Sequence, residues 1–235
     1  MPVTYELRDR VAVITFDDGK ANVYTPDVLT ELSLAFTRAA EDKDVTAVLL
    51  AGRPGRFSAG FDLATMTSGP GAMRGLVAQG GGFAAQMLLH PTPVVAACTG
   101  HALAAGALVL LAADYRIGVE GPFQVGLNEV AIGMALPVWA VELARYRMPP
   151  SQFDRIILGE VGDPRAAVTA GFLDEVVDGD RLLEAGGATA SRLSERRRGA
   201  VAGTKAKART EVAKRMLTGM EEDLASLTGP DPTGR

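Results

Sequence analysis

The residues best suited to chemistry fall in three short segments. Phe57-Ser58-Ala59-Gly60-Phe61-Asp62-Leu63 follows an apolar run of strand length. Gly100-His101-Ala102-Leu103-Ala104-Ala105-Gly106 leads straight into an apolar helical stretch. Gln124 to Pro137 carries one acid, Glu129, among apolar neighbours. Small residues in the first two segments let a backbone N–H approach a ligand closely, and a helix N-terminus adds partial positive charge. Two such N–H groups converging on one oxygen make an oxyanion hole. Glu129 admits two readings. It is either a solvated carboxylate at a loop tip, or a half-buried one whose desolvation raises its pKa and suits it to proton transfer near neutrality.

Other chemistries find less support. The single cysteine, Cys98, lies in an apolar run and reads as a small core residue. One Cys with His90 and His101 does not make a His/Cys cage, so no metal is expected. Gly80-Gly81-Gly82-Phe83 lacks both the spacing of a dinucleotide fingerprint and the Lys-Ser/Thr of a P-loop, and reads as a flexible hinge or lid. Ser58 and His101 are the raw material of a nucleophilic hydrolase, but the Gly-x-Ser-x-Gly elbow is missing.

The elements that must position these segments follow from periodicity. Val3 to Leu7 and Val11 to Phe16 predict a hairpin across Arg8-Asp9-Arg10. Thr25-Pro26-Asp27 starts a helix that runs to about Glu41, with the threonine as cap. Val45 to Leu50 reads as a buried strand, Phe83 to Leu89 as helix and Val94 to Cys98 as strand. A turn over Thr99 to Ala104, a helix over Ala105 to Ala113 and a strand over Tyr115 to Val119 come next. Strands alternating with helices indicate an α/β layered fold with mostly parallel pairing. Beyond Pro149 helical spacing dominates, broken by Leu173 to Val177. The basic stretch from Arg192 to Arg215 reads as a solvated helix face, the alternative being a surface for a phosphorylated ligand or a partner subunit.

The chain has 235 residues, is 47% hydrophobic and carries a net charge of −4, an ordinary globular composition that disfavours general polyanion binding. Nucleic acid is therefore not an expected partner. The lone cysteine suits a reducing compartment and no secretory signal precedes Arg10, so the expected location is cytoplasmic. Val94 to Ala113 has the length of a membrane span. The turn-like Thr99-Gly100-His101 and the preceding prolines make it a buried strand, turn and helix instead, with no membrane span expected.

Taken in order, the segments resemble the crotonase (enoyl-CoA hydratase/isomerase) superfamily over roughly Tyr5 to Val177. The resemblance rests on the opening hairpin, Lys20-Ala21-Asn22-Val23, Phe57 to Leu63, Pro93-Val94-Val95-Ala96, Gly100 through Asp114-Tyr115-Arg116, and Gly171 to Val177. It implies an α/β crotonase-like spiral of β-β-α units over residues 1–178 and a C-terminal helical trimerisation region over 179–228. A tail over 229–235 is expected to be disordered. It also implies a homotrimer or hexamer, an acyl-CoA thioester as ligand, and no cofactor beyond the CoA of the substrate. By the same resemblance, the amides of Phe61 and Ala105 would hold the thioester oxygen. Lys20, Ala21, Val23, Ala59, Asp62 and Leu63 would line the nucleotide and pantetheine path, with Leu108 and Asn128 beside the acyl group. Ala104 and Ala105 stand where glycines are common in the family.

The departure concerns acids. Family hydratases pair two glutamates, but here the first position is Leu108 and only Glu129 remains. Holding and deprotonating water while a proton reaches C2 calls for two carboxylates, whereas moving a proton from C2 to C4 of a 3-enoyl thioester calls for one base. Leu108 and Glu129 together are closest in motif to the mitochondrial-type Δ3,Δ2-enoyl-CoA isomerases of fatty-acid β-oxidation, which implies that activity. A one-glutamate hydratase and a non-catalytic acyl-CoA-binding protein are the alternatives. Trp139, Met134 and Met87 either line an acyl pocket or pack the core, and core packing is the plainer reading.

Overall fold

The computed structural model describes residues 2–230. The hairpin forms as expected: β1 (Val3–Arg8) pairs antiparallel with β2 (Val11–Phe16) across Asp9 and Arg10, both at positive φ. A polar loop follows, held by Asn22, whose Nδ2 donates to Phe16 O at 2.7 Å. β3 (Val23–Tyr24) then precedes α1 (Pro26–Glu41), capped by Thr25, whose hydroxyl accepts from Val28 N.

From here the chain coils. β4 (Ala47–Ala51) is followed by β5 (Gly55–Ser58) and β6 (Gly60–Phe61), then by α2 (Leu63–Thr67) and α3 (Pro70–Leu89). The next pass is β7 (Val94–Cys98), β8 (Gly100–Leu103) and α4 (Ala105–Ala112), and the one after begins β9 (Tyr115–Val119), β10 (Val125–Gly126). There follow α5 (Val138–Arg147), α6 (Pro150–Ile157), β11 (Val161–Gly162), α7 (Pro164–Ala170) and β12 (Glu175–Val177). The chain ends in α8 (Leu182–Ser194), α9 (Arg198–Leu217) and α10 (Met220–Ser226). The first strand of each pass joins a six-stranded sheet ordered β1-β2-β4-β7-β9-β12, parallel from β2 onward. The second strand joins a smaller sheet ordered β11-β10-β8-β5. This is the crotonase-type spiral.

The strands read as continuous apolar runs because both faces of the large sheet are covered. Val48 and Leu50 of β4 face the main core with α1 and α3. Leu49 and Ala51 face a second cluster closed by α8, where Gly186 lets Leu49 approach. Val94 to Ala113 thus folds as strand, strand and buried helix, and no helix among the described residues is long and apolar enough to cross a membrane.

Three expectations are corrected. The stretch Thr99 to Ala104 is not a plain turn, since Gly100–Leu103 is β8, paired with β5 and β10. Gly100 permits this, because a Cβ there would stand 2.0 Å from the Gly55 carbonyl carbon. The glycine run 80–82 is no hinge or lid but lies inside α3, where Gly80 receives the Phe61 ring and Gly81 receives Trp139 and Met220.

The basic C-terminal stretch is only partly a solvated face. Lys205 (7% exposed) and Arg209 enclose the Asp114 carboxylate at 2.6 and 2.5 Å, and Arg198 donates to the carbonyls of Ala40, in the last turn of α1, and of Asp42 and Val45 just after it. Burial alone would raise the Asp114 pKa, but the Lys205 and Arg209 cations hold it below the usual carboxylate value. The tail expected over 229–235 falls mostly outside the described residues. Its first two positions, Gly229 and Pro230, are seated against other parts of the chain, with a Gly229 Cβ placed 3.4 Å from Met73 Sδ.

Candidate active site

The two loops singled out in the sequence meet at Gly60. This residue has φ +94°, and a Cβ there would lie 3.0 Å from Ala104 Cβ, 3.1 Å from Leu103 O and 3.3 Å from Ala105 N. The Phe61 and Ala105 amides therefore belong to segments in direct contact. Asp62 N donates to Tyr24 O at 3.0 Å, so alternation along β6 turns the neighbouring Phe61 N–H away from β3. Ala105 opens α4, whose first N–H groups have no partner within the helix. Ala104, at φ 51° and ψ −125°, occupies a region that L side chains rarely adopt. It is held there by its own N–H, which donates to Gly126 O at 3.0 Å, and by the Gly60 contact.

Ser58 and His101 are both occupied in other ways. Ser58 Oγ donates to Asn22 O at 2.6 Å and accepts from Gly60 N at 3.1 Å, bracketing the loop, while its backbone fills the space a Gly106 Cβ would need. His101 Nδ1 accepts from Gln124 N, and its ring packs edge-on against Phe123. The structure does not join them into a nucleophile and base.

Beside this junction lies a cavity of about 510 Å³, walled by Ala59, Phe61, Ala104, Leu108, Met134 and Trp139 among others, with Ala105 buried next to Ala104 rather than in the wall. Its one acidic side chain among the described residues is Glu129, only 7% exposed. Gly126 ends β10 at φ +158°. The chain then tightens into a 3₁₀ turn over Val130–Ile132, in which Glu129 O accepts from Ile132 N and Met134 N, both at 3.0 Å. Glu129 Oε2 is buried without a hydrogen-bond partner, and desolvation raises its pKa to about 7, against a smaller opposing pull from a backbone hydrogen bond. The half-buried reading of Glu129 is thus the one the structure adopts, and more completely. Facing the same cavity, Leu108 is 1% exposed and supplies an apolar wall. Asn128, beside Glu129, also lines it, with Oδ1 buried and unpartnered.

A carboxyl that gains and loses a proton near neutrality, set in an apolar chamber near a helix N-terminus, can move a proton on a carbon acid whose anion backbone N–H groups stabilise.

The remaining sequence candidates are spread around this chamber. Ala59 and Leu63 line it, Leu63 being 63% exposed at its edge. Lys20, Ala21 and Val23 do not wall the cavity. They lie alongside β6, where Ala21 O accepts from Ala59 N, Val23 pairs with Gly60, and the exposed Lys20 offers its carbonyl to Arg53. Asp62 caps α2, accepting from both Thr65 N (2.8 Å) and Thr65 Oγ1 (2.7 Å). Met134 and Trp139 line the cavity whereas Met87 is fully buried core. Met66, Val77, Ile132 and Pro230 also line it and were not expected. Apolar residues on separate elements carry no local mark of a shared pocket.

The family profile described as enoyl-CoA hydratase/isomerase matches residues 6–230, and the chain belongs to that family, the crotonases. It is similar to human mitochondrial enoyl-CoA delta isomerase 1, 31% identical over 73% of this chain and 58% of that protein. A probable enoyl-CoA hydratase of Mycobacterium avium is 30% identical over 83% of this chain and 77% of its own. Among solved structures, an enoyl-CoA hydratase/isomerase family protein from Pseudomonas syringae superposes with a TM-score of 0.93 at 44% identity, covering 97% of this chain and 98% of that one. The matches span about three-fifths of the length of the mitochondrial isomerases.

Proposed function

We propose that this protein is an enoyl-CoA isomerase that shifts a 3-enoyl thioester to its 2-enoyl form, with Glu129 as the proton carrier. The Glu129 carboxylate removes a C2 proton, acidified by both thioester and alkene, and the electrons pass through the thioester carbonyl to its oxygen. The Phe61 and Ala105 N–H groups hydrogen-bond that oxygen in the dienolate. The protonated Glu129 then returns the proton at C4, the electron pair moves back, and the double bond lies between C2 and C3. An oxyanion donor in such a step is worth about 3 kcal/mol. No cofactor takes part; CoA belongs to the substrate.

The observation carrying this reading is the pairing of one buried acid, poised near pH 7, with a hydrocarbon wall at Leu108. Hydration would need a second group to hold water across from Glu129, and the facing leucine has no polar atom. Assay of purified protein with 3-hexenoyl-CoA should give the 2-enoyl product, and Glu129→Gln should abolish it. Absence of that product, or full activity in the variant, rejects the proposal. Appreciable hydration of crotonyl-CoA by the unmodified protein would favour the hydratase reading instead, and thioester binding with no turnover would favour a binding protein.

A further inference from the structure

The last described residues close one end of the cavity. α2 leads from the Phe61 side of the chamber to Met66 and Thr67, and there Pro230 forms part of the wall. Beyond it lies a second hollow of about 460 Å³, floored by Gly69, Met73 and Arg74 of α3 and its approach and roofed by Leu227 to Gly229. Met66, Thr67 and Pro230 border both spaces, so these three residues are the partition between them.

The roof is anchored on both sides. Arg74 donates to Ala225 O at 2.8 Å, and Met220 packs with Trp139 over Gly81. α5 has no side-chain cap of its own. Instead Asp223 of α10 accepts from Val138 N at 2.8 Å, placing an anion at the N-terminus of the helix that carries Trp139.

We infer that Pro230, held by the C-terminal segment and the Asp223–Val138 latch, is the length gauge of the site: it stops the acyl chain at the partition and bars it from the second hollow. This rests on the acyl-thioester reading above. Chains short enough to end at Pro230 fit the chamber as it stands. Each further methylene must displace the partition rather than gain the roughly fourfold in affinity that burial of a CH₂ brings.

The test is calorimetric binding of saturated hexanoyl-CoA and dodecanoyl-CoA, which needs no turnover. Two variants are compared with the unmodified protein: the chain ended after Leu227, and Pro230→Trp. Ending the chain takes Pro230 out of the partition and opens that end of the chamber, so the ratio of long-chain to short-chain affinity should rise by about tenfold or more. Pro230→Trp thickens the partition, so the same ratio should fall. Asp223→Ala, which frees the latch, should shift the ratio in the direction of truncation but less far. Circular dichroism melting confirms folding in each case. A ratio unmoved in folded truncated protein and in Pro230→Trp overturns the gauge while leaving the isomerase proposal standing. Failure of the unmodified protein to bind either thioester overturns the acyl-CoA reading and the gauge with it.

Discussion

The Phe61 ring rests in the dent that Gly80 leaves in α3: a Cβ at Gly80 would stand 2.4 Å from Phe61 Cζ. Phe61, which lines the chamber, is therefore braced from behind by a helix, and that brace requires a missing side chain. A Gly80→Ala substitution must push the ring, and with it the β6 backbone, toward the cavity. Better helix propensity offsets part of the overpacking cost, leaving about 1 kcal/mol of destabilisation, while kcat on a 3-enoyl thioester falls much further. Gly82, with nothing within 4 Å of its Cβ position, is the control. Gly82→Ala should raise the melting temperature and spare activity. Equal damage from both substitutions would mean that the run does act as a hinge.

Burial of Glu129 has a cost that depends on pH. Its folded pKa, about 7, lies above the ordinary 4.5, so the folded state prefers the protonated form. The penalty is absent below pH 4.5, grows as pH rises, and is complete above about 7, where it amounts to about 3 kcal/mol. Glu129→Gln should match the unmodified protein in urea unfolding at pH 4 and exceed its stability by that order at pH 8. Equal stability at both pH values would place the carboxyl in water.

His90 works in the opposite sense. Burial, followed by the Lys205 cation, lowers its pKa from 6.5 to about 4, and its ring nitrogens are engaged by Phe36 O and the Thr92 group. The unfolded chain takes up a proton below pH 6.5 that the folded chain refuses until about 4, so stability falls across that window by about 3 kcal/mol. Replacing His90 with Asn should flatten this part of the stability profile, whatever it does to the absolute value. A slope that survives in His90→Asn assigns the acid sensitivity elsewhere.

Under the proposed reaction, Leu108 is the residue that keeps water addition out of the chamber. Placing a carboxylate there, opposite Glu129, supplies the second acid that water addition needs, and like charges in a small apolar space raise at least one of the two pKa values further. Leu108→Glu should gain measurable crotonyl-CoA hydration, lose isomerisation, and melt at a lower temperature above pH 7 than at pH 5. A variant that folds but hydrates no faster than the unmodified protein would show that more than this residue separates the two chemistries.

Much of the architecture could be read from the chain because hydrophobic period and caps are local signals. The β1–β2 hairpin, α1 with its Thr25 cap and the strand Val94–Cys98 lie where their patterns place them, and the run read as Val45 to Leu50 forms a strand over Ala47–Ala51. The two amide-bearing loops and Glu129 were visible for the same reason, since small residues before a helix and one acid in an apolar stretch stand out. What escaped notice depends on partners distant in sequence. A glycine run looks alike whether its hydrogens signify freedom or close approach, and only the Phe61 and Trp139 rings tell them apart. A lysine in a basic helix looks solvated until Asp114, far earlier in the chain, is seen to face it. Pro230 carries no hint of a cavity until Met66 and Thr67 stand beside it.

The Asp114 cluster bears on how the protein is made. Its carboxylate, 15% exposed, accepts from Val94 N where two neighbouring strands of the large sheet come together, yet both of its cations belong to α9. During synthesis the early part of the coil emerges from the ribosome with that charge unmatched, a state that costs several kcal/mol if the sheet closes around it. The seam between β7 and β9 is therefore completed electrostatically only when Lys205 and Arg209 of α9 pack against it.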